Sequence, residues 1–190
     1  NFMQKLAYKT QNGFTHSANF QYSTSTDINR YDRLTDPAGS GLKSAEWYYG
    51  PQKRLLGIYS LEKENVFSNT DFKLDAGYQN IEESRHNRNF GNYNLQNRVE
   101  KVAVYSLAVN FETKLIKGNL YYGIENYYDD LKSTAHKNNI NTGVDVPLDT
   151  RYPNGKNNMM RNDVYVSYSS KRYEATNFSI GVRAGYATLN

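Results

Sequence analysis

The sequence predicts an all-β fold, an antiparallel transmembrane β-barrel wall of about eight strands, carried by a single domain over residues 1–190. Three observations predict it. The first is an asymmetry of connections. Gln11-Asn12-Gly13, Ile116-Lys117-Gly118 and Glu174-Ala175-Thr176-Asn177 are tight turns, and Asn65 to Thr70 is little longer. The connections Asp27 to Pro51, Ser84 to Arg98 and Ala135 to Met159 are long. Barrel walls of the outer membrane join their strands in this way, with short periplasmic turns and long extracellular loops. The second is a period-two pattern in most intervening segments. The third is an excess of aromatics, 18 Tyr and 8 Phe, gathered near the predicted strand ends.

Taken in order, Met3 to Thr10 is a short first strand. Phe14, Ala18, Phe20 and Tyr22 then alternate with Thr15, Ser17, Asn19 and Gln21. Arg54 to Glu62 contains Leu55-Leu56 and Ile58-Tyr59, which leaves its outward face open. Phe72, Leu74, Ala76 and Tyr78 alternate with Lys73, Asp75, Gly77 and Gln79. Glu100 to Thr113 is the clearest case: Tyr105, Leu107, Val109 and Phe111 form one face, Val104, Ser106, Ala108, Asn110 and Glu112 the other. After Gly118 the same alternation sets Leu120, Tyr122 and Ile124 against Gly123, Glu125 and Tyr127. Val164, Val166 and Tyr168 alternate with Tyr165, Ser167 and Ser169. The last strand sets Phe178, Ile180, Val182, Ala184 and Tyr186 against Ser179, Gly181, Arg183 and Gly185. The apolar sets are expected to face lipid. Lys73, Asp75, Glu112, Glu125 and Arg183 are expected to face the interior. His16 falls on the lipid side near a turn, where a polar ring is awkward. Tyr8, Phe14, Phe67, Phe72, Phe111, Tyr173 and Phe178 near the short turns, with Tyr22, Tyr78, Tyr128 and Tyr186 toward the long loops, read as two aromatic girdles.

Composition agrees with a barrel. A hydrophobic fraction of 38% and a mean hydropathy of −0.83 suit a wall in which only alternate residues meet lipid. No apolar run approaches the roughly 18 residues of a membrane-spanning helix, and no secretory leader is visible. Without cysteine there is no disulfide framework or thiolate metal site. The net charge of +4 is dispersed rather than gathered in a stripe, which argues against nucleic acid.

Beyond Tyr22 the run Ser23-Thr24-Ser25-Thr26-Asp27-Ile28-Asn29-Arg30-Tyr31-Asp32-Arg33-Leu34, followed by Ala45-Glu46-Trp47-Tyr48-Tyr49-Gly50-Pro51-Gln52, resembles TonB-dependent outer-membrane receptors of the Bacteroidetes type. Tyr78 to Arg85 and Arg98 to Phe111 look like the next barrel strands of that family. The resemblance implies a barrel of about 22 strands closed by a plug. It also implies uptake of a scarce nutrient, a siderophore, haem or similar, driven by the TonB complex. The expected partners are outer-membrane lipid, the small nutrient ligand, and a plug and TonB complex not contained in this sequence. The expected location is the outer membrane, with long loops outside. The sequence has no plug, TonB box or terminal aromatic, so the expectation is an internal piece of the barrel. The alternatives are a complete structural or adhesive barrel of eight strands, or an outer-membrane hydrolase.

Candidate ligand contacts lie in the predicted loops. Arg30 and Arg33 suit bidentate pairing with carboxylate or phosphate. Tyr31, Trp47, Tyr48 and Tyr49 offer flat surfaces with polar tips. The same residues also suit loop packing, with Asp27 and Asp32 pairing the arginines. His86 and His136 are isolated imidazoles, and His86 is the one retained as a ligand contact. Glu82-Glu83 and Asp129-Asp130 lack the spacing of a rim protease. No catalytic residue, metal site or cofactor is expected.

Overall fold

The computed structural model describes residues 1–152, 155–170 and 176–190. Its chief feature is one antiparallel sheet. In chain order the elements are β1 (Phe2–Lys9), β2 (Phe14–Thr24), β3 (Ile28–Asn29), α1 (Tyr31–Leu34), β4 (Pro37–Ala38), β5 (Gly41–Leu42), β6 (Ser44–Tyr49), β7 (Lys53–Phe67), β8 (Thr70–Asn89), β9 (Asn94–Leu115), β10 (Gly118–Asn139), β11 (Asp145–Pro147), β12 (Lys156–Ser170) and β13 (Ser179–Leu189). The main path is β1-β2-β7-β8-β9-β10-β12-β13, each strand hydrogen-bonded to the next. Among the described residues β1 pairs only with β2 and β13 only with β12, so the sheet is open, with a free edge at each end. The closing ladder that a complete eight-stranded barrel needs is therefore not formed.

Register turns the alternation of single strands into two continuous faces. Phe72, Leu74, Ala76 and Tyr78 of β8 stand opposite Phe111, Val109, Leu107 and Tyr105 of β9. Tyr122, Ile124 and Tyr128 of β10 continue those rows, and Val166, Val164 and Met160 of β12 extend them. Pairing also settles β7: Leu55, Gly57, Tyr59 and Leu61 share the apolar face, opposite Asn80, Tyr78, Ala76 and Leu74. On β1 the same face carries Phe2, Gln4, Leu6 and Tyr8. None of these apolar side chains is buried, and the protein has no buried hydrophobic residue among those described. A single sheet with a bare apolar face has no core of its own, so something outside the sheet must cover it.

Two pairs of polar groups on that face are hydrogen-bonded. His16 Nδ1 lies 2.8 Å from the Tyr59 hydroxyl, and Asn126 Nδ2 donates to Asn162 Oδ1 at 2.5 Å. Aromatics form two rows. Tyr78, Tyr105 and Tyr128 lie side by side, with ring centroids 5.1 and 6.2 Å apart. Near the short turns Phe72, Phe111 and Tyr122 are spaced 5.5 and 5.2 Å. Tyr173, and Glu174 and Ala175 of the last predicted turn, lie outside the described residues.

The opposite face is polar and concave. Lys73 bridges to Glu62 at 2.9 Å, and Arg183 joins Glu125 at 2.6 Å and Asp163 at 3.1 Å. Curvature brings Lys9 of the first strand and Tyr165 of β12 to the rim of one hollow of about 560 Å³.

Two of the long predicted loops prove to be strand. β8 and β9 pair as far as Asn87 and Gln96, so the predicted loop Ser84 to Arg98 shrinks to a turn around Phe90 to Tyr93. β10 runs on to Asn139 and pairs with β11. The connection from Asp27 to Pro51 is likewise a prolonged hairpin: β3 pairs with β6, and β6 pairs with the upper part of β8. Between Tyr49, opposite Arg85, and Lys53, opposite Glu82, the chain carries one residue more than β8, a bulge at Gly50 to Gln52. Gly50 there has φ +105°, and a Cβ would lie 2.7 Å from the Thr26 carbonyl oxygen. The Gly50 amide donates to the Ser84 carbonyl at 3.1 Å, and the Ser84 hydroxyl donates to the Gly50 carbonyl at 2.7 Å.

Candidate functional site

The long-hairpin end of the sheet is where the predicted ligand contacts fall, and pairing sorts them onto two faces. In β6, Trp47 and Tyr49 stand opposite Asn87 and Arg85 on the concave side, while Glu46 and Tyr48 stand opposite Arg88 and His86 on the other. Arg30, just beyond β3, lies over the concave pair, its guanidinium 5.0 Å from the Trp47 ring centre and 5.5 Å from that of Tyr49. Each of its three nitrogens donates one hydrogen bond. Nε and Nη2 donate to Asp32 at 2.7 and 2.5 Å, and Nη1 donates to the Tyr49 hydroxyl at 2.8 Å. The bond from Arg30 holds the Asp32 carboxyl below the usual carboxylate range. Arg33 lies 3.8 Å from Asp32 and 3.4 Å from Asp36. Tyr31 projects from the four-residue helix, 72% exposed. Arg30, Asp32, Trp47 and Tyr49 thus form one clamp that fastens the hairpin tip onto β6.

On the other face Tyr48 stacks on His86, with ring centroids 4.7 Å apart and planes 18° from parallel. His86 Nδ1 lies 2.6 Å from Asn97 Oδ1, and Arg88 Nη2 lies 2.6 Å from Glu46. Burial first, then Asp27 and Glu46, push the Tyr48 hydroxyl up from its ordinary value. Tyr48 and His86 are therefore brought together, but away from Arg30, Trp47 and Tyr49. Among the described residues no group of His, Asp or Glu is placed to hold a metal ion.

Sequence reasoning missed the arginines that are left unclamped. Arg85 and Arg98 stand directly opposite each other on the concave side, with Tyr49 beside Arg85. Arg98 donates to Gln96 Oε1 at 3.1 Å, and neither arginine has a carboxylate within salt-bridge distance among the described residues. Burial, and next to it the charge of Arg85, push the Arg98 guanidinium below its ordinary value. Like charges directly opposite destabilise a sheet, and the carboxylates of Glu100 and Asp149 offset part of that repulsion at Arg98. Planar guanidinium forks beside the Tyr49 and Trp47 rings can take a carboxylate or phosphate bidentately and cover an apolar body beside it. The sequence signal was the arginine pair itself. It was unreadable while the segment was taken as loop, because register alone makes these two neighbours.

No protein-family model, curated protein or solved structure matches the chain.

Proposed function

We propose that this sheet is part of the wall of a large outer-membrane barrel, of the TonB-dependent receptor type, that binds a scarce organic nutrient at its long-hairpin end for uptake. The observation that carries the reading is the bare apolar face. From the Phe72 row to the Tyr78 row it is seven residues tall, and the next row brings Asn80, Asp130 and Asn158 onto the same face. That is roughly 23 Å along the strand and about 17 Å once tilted, the central part of the lipid-facing band of a barrel. Aromatic rows stand near both of its limits, and the opposite face is ion-paired and polar as a lumen is. The free edges of β1 and β13 suit neighbouring strands on either side, since hydrocarbon does not tolerate unpaired edges. A plug and the TonB complex would be the partners in energy transduction, and the Arg85–Arg98 pair beside Tyr49 is the proposed contact for an anionic group of the nutrient.

The test uses the absence of native cysteine. Single cysteines placed from Tyr105 to Phe111 are spin-labelled in this sheet within the complete barrel polypeptide that carries it, reconstituted into phosphatidylcholine vesicles. Odd positions should be reached by oxygen dissolved in lipid and even positions by a water-soluble nickel chelate. Uniform accessibility along the segment would remove the membrane assignment.

A further inference from the structure

The apolar face carries a groove that ends in a charged row. Gly57 contributes no side chain, and a Cβ there would meet nothing within 4 Å. Its cross-strand neighbours are Phe20 and Tyr78, and between these rings opens a hollow of about 520 Å³. A second hollow, of about 400 Å³, continues past Leu55 and Asn80 to Lys53 and Glu82, and Tyr78 borders both. The lining of the first is mostly apolar (Leu6, Ala18, Phe20, Tyr59, Ala76), which suits a hydrocarbon chain.

Above the groove, pairing aligns basic residues across the sheet. Lys53 stands opposite Glu82, Glu82 opposite Lys101, Lys101 opposite Lys132 and Lys132 opposite Lys156. Glu82 receives Lys53 at 3.1 Å and Lys101 at 2.9 Å. Lys132 and Lys156 have no ion pair among the described residues. The row therefore sets four cations against one carboxylate, and three of its lysines are direct neighbours on adjacent strands. Such a file of like charges opposes the pairing that creates it. It lies two rows beyond the Tyr78–Tyr105–Tyr128 belt, the depth at which headgroup phosphates meet a barrel whose aromatic ring marks the interface.

We infer that the groove and the lysine row together bind one anionic phospholipid, its acyl chain laid along Gly57 and its phosphate held by Lys101, Lys132 and Lys156. The inference rests on the membrane assignment proposed above. Electrostatic attraction at an anionic surface is worth roughly fivefold in affinity per lysine; Glu82 engages Lys101, leaving about 25-fold for Lys132 and Lys156, and Asp130 on the same face beside Lys132 lowers the expected preference for phosphate monoester over zwitterion to about tenfold.

The test is native mass spectrometry of the complete barrel polypeptide that carries this sheet, in detergent micelles and titrated with dioleoyl phosphatidic acid or dioleoyl phosphatidylcholine. Phosphatidic acid should be retained about tenfold more tightly. The triple substitution K101Q/K132Q/K156Q should bring that ratio near one while leaving phosphatidylcholine retention unchanged. G57L should weaken retention of both lipids, because the leucine fills the groove where there is room for it. Equal retention of the two lipids by the unsubstituted chain overturns the inference and leaves the membrane assignment standing. So does a preference that survives the triple substitution, or retention untouched by G57L. Retention of neither lipid overturns both.

Discussion

Leu107 and Ala108 are adjacent in sequence and are placed to meet opposite media, so arginine at each should have opposite consequences. Leu107 lies inside the apolar band on β9, between Phe111 and Tyr105, opposite Ala76 and Asn126 and 43% exposed. At the middle of a bilayer an arginine on the lipid face of a barrel costs about 2–4 kcal/mol. That is roughly 30- to 700-fold in the folding equilibrium. Ala108 stands between Asp75 and Glu125 on the concave face. An arginine there gains two carboxylates and is expected to change stability by no more than about 1 kcal/mol, in either direction. The assay is urea unfolding of the two variants from phosphatidylcholine vesicles, followed by Trp47 fluorescence. A cost for L107R below about 1 kcal/mol, or a cost for A108R as large as that for L107R, would refute the assignment of faces to oil and water.

Other consequences are local. G50A forces a Cβ 2.7 Å from the Thr26 carbonyl at φ +105°. It should cost about 1–3 kcal/mol and speed hydrogen exchange at the Gly50 amide, with unchanged exchange counting against the bulge as a fixed joint. Y59F leaves His16 without its hydroxyl partner on the apolar face and should cost about 1–3 kcal/mol in vesicles. Because Arg30 holds Asp32 below the ordinary carboxylate value, the clamp should be complete above about pH 4 and released as pH falls through the lower folded value. Trp47 emission should report the release, and D32N should abolish the pH step. R85Q removes the charge facing Arg98 and is expected to raise stability by about 0.2–1 kcal/mol in a thermal melt, while weakening capture of an anionic ligand. A loss of stability would show that Arg85 is held by an attraction rather than opposed by its neighbour.

The sheet was legible because alternation is a local property. Tyr105 to Phe111 announce a face without any knowledge of their partners, and Gln11-Asn12-Gly13 and Ile116-Lys117-Gly118 announce turns by their residue types. β7 was not legible alone, since Leu55-Leu56 and Ile58-Tyr59 fit either phase. Only the pairing of Tyr59 with Ala18 and Ala76 assigns it. The outer hairpins were misjudged for the same reason. Ser84 to Arg98 is rich in Asn, Arg and His, residues that form turns when both faces are free, but here its backbone is held by a neighbouring ladder on each side of the hairpin. Tertiary pairing overrides weak local preference in strands more readily than in helices.

The candidate site was legible in composition and not in arrangement. Arg30, Trp47 and Tyr49 are brought together, yet each guanidinium nitrogen of Arg30 is engaged in the clamp, and Tyr48 and His86 are turned to the other face by the simple rule of alternate side chains. What remains unspent is the Arg85–Arg98 pair, placed by strand length. A membrane crossing needs about 9–11 residues per strand, whereas β9 and β10 each have 22. About half of each strand therefore stands beyond the proposed lipid band as paired sheet. A flexible loop would pay the entropy of ordering on binding each ligand. An extended ladder keeps its side chains in register beforehand, so on the proposed function the two opposed guanidinium groups would meet an anionic ligand already placed.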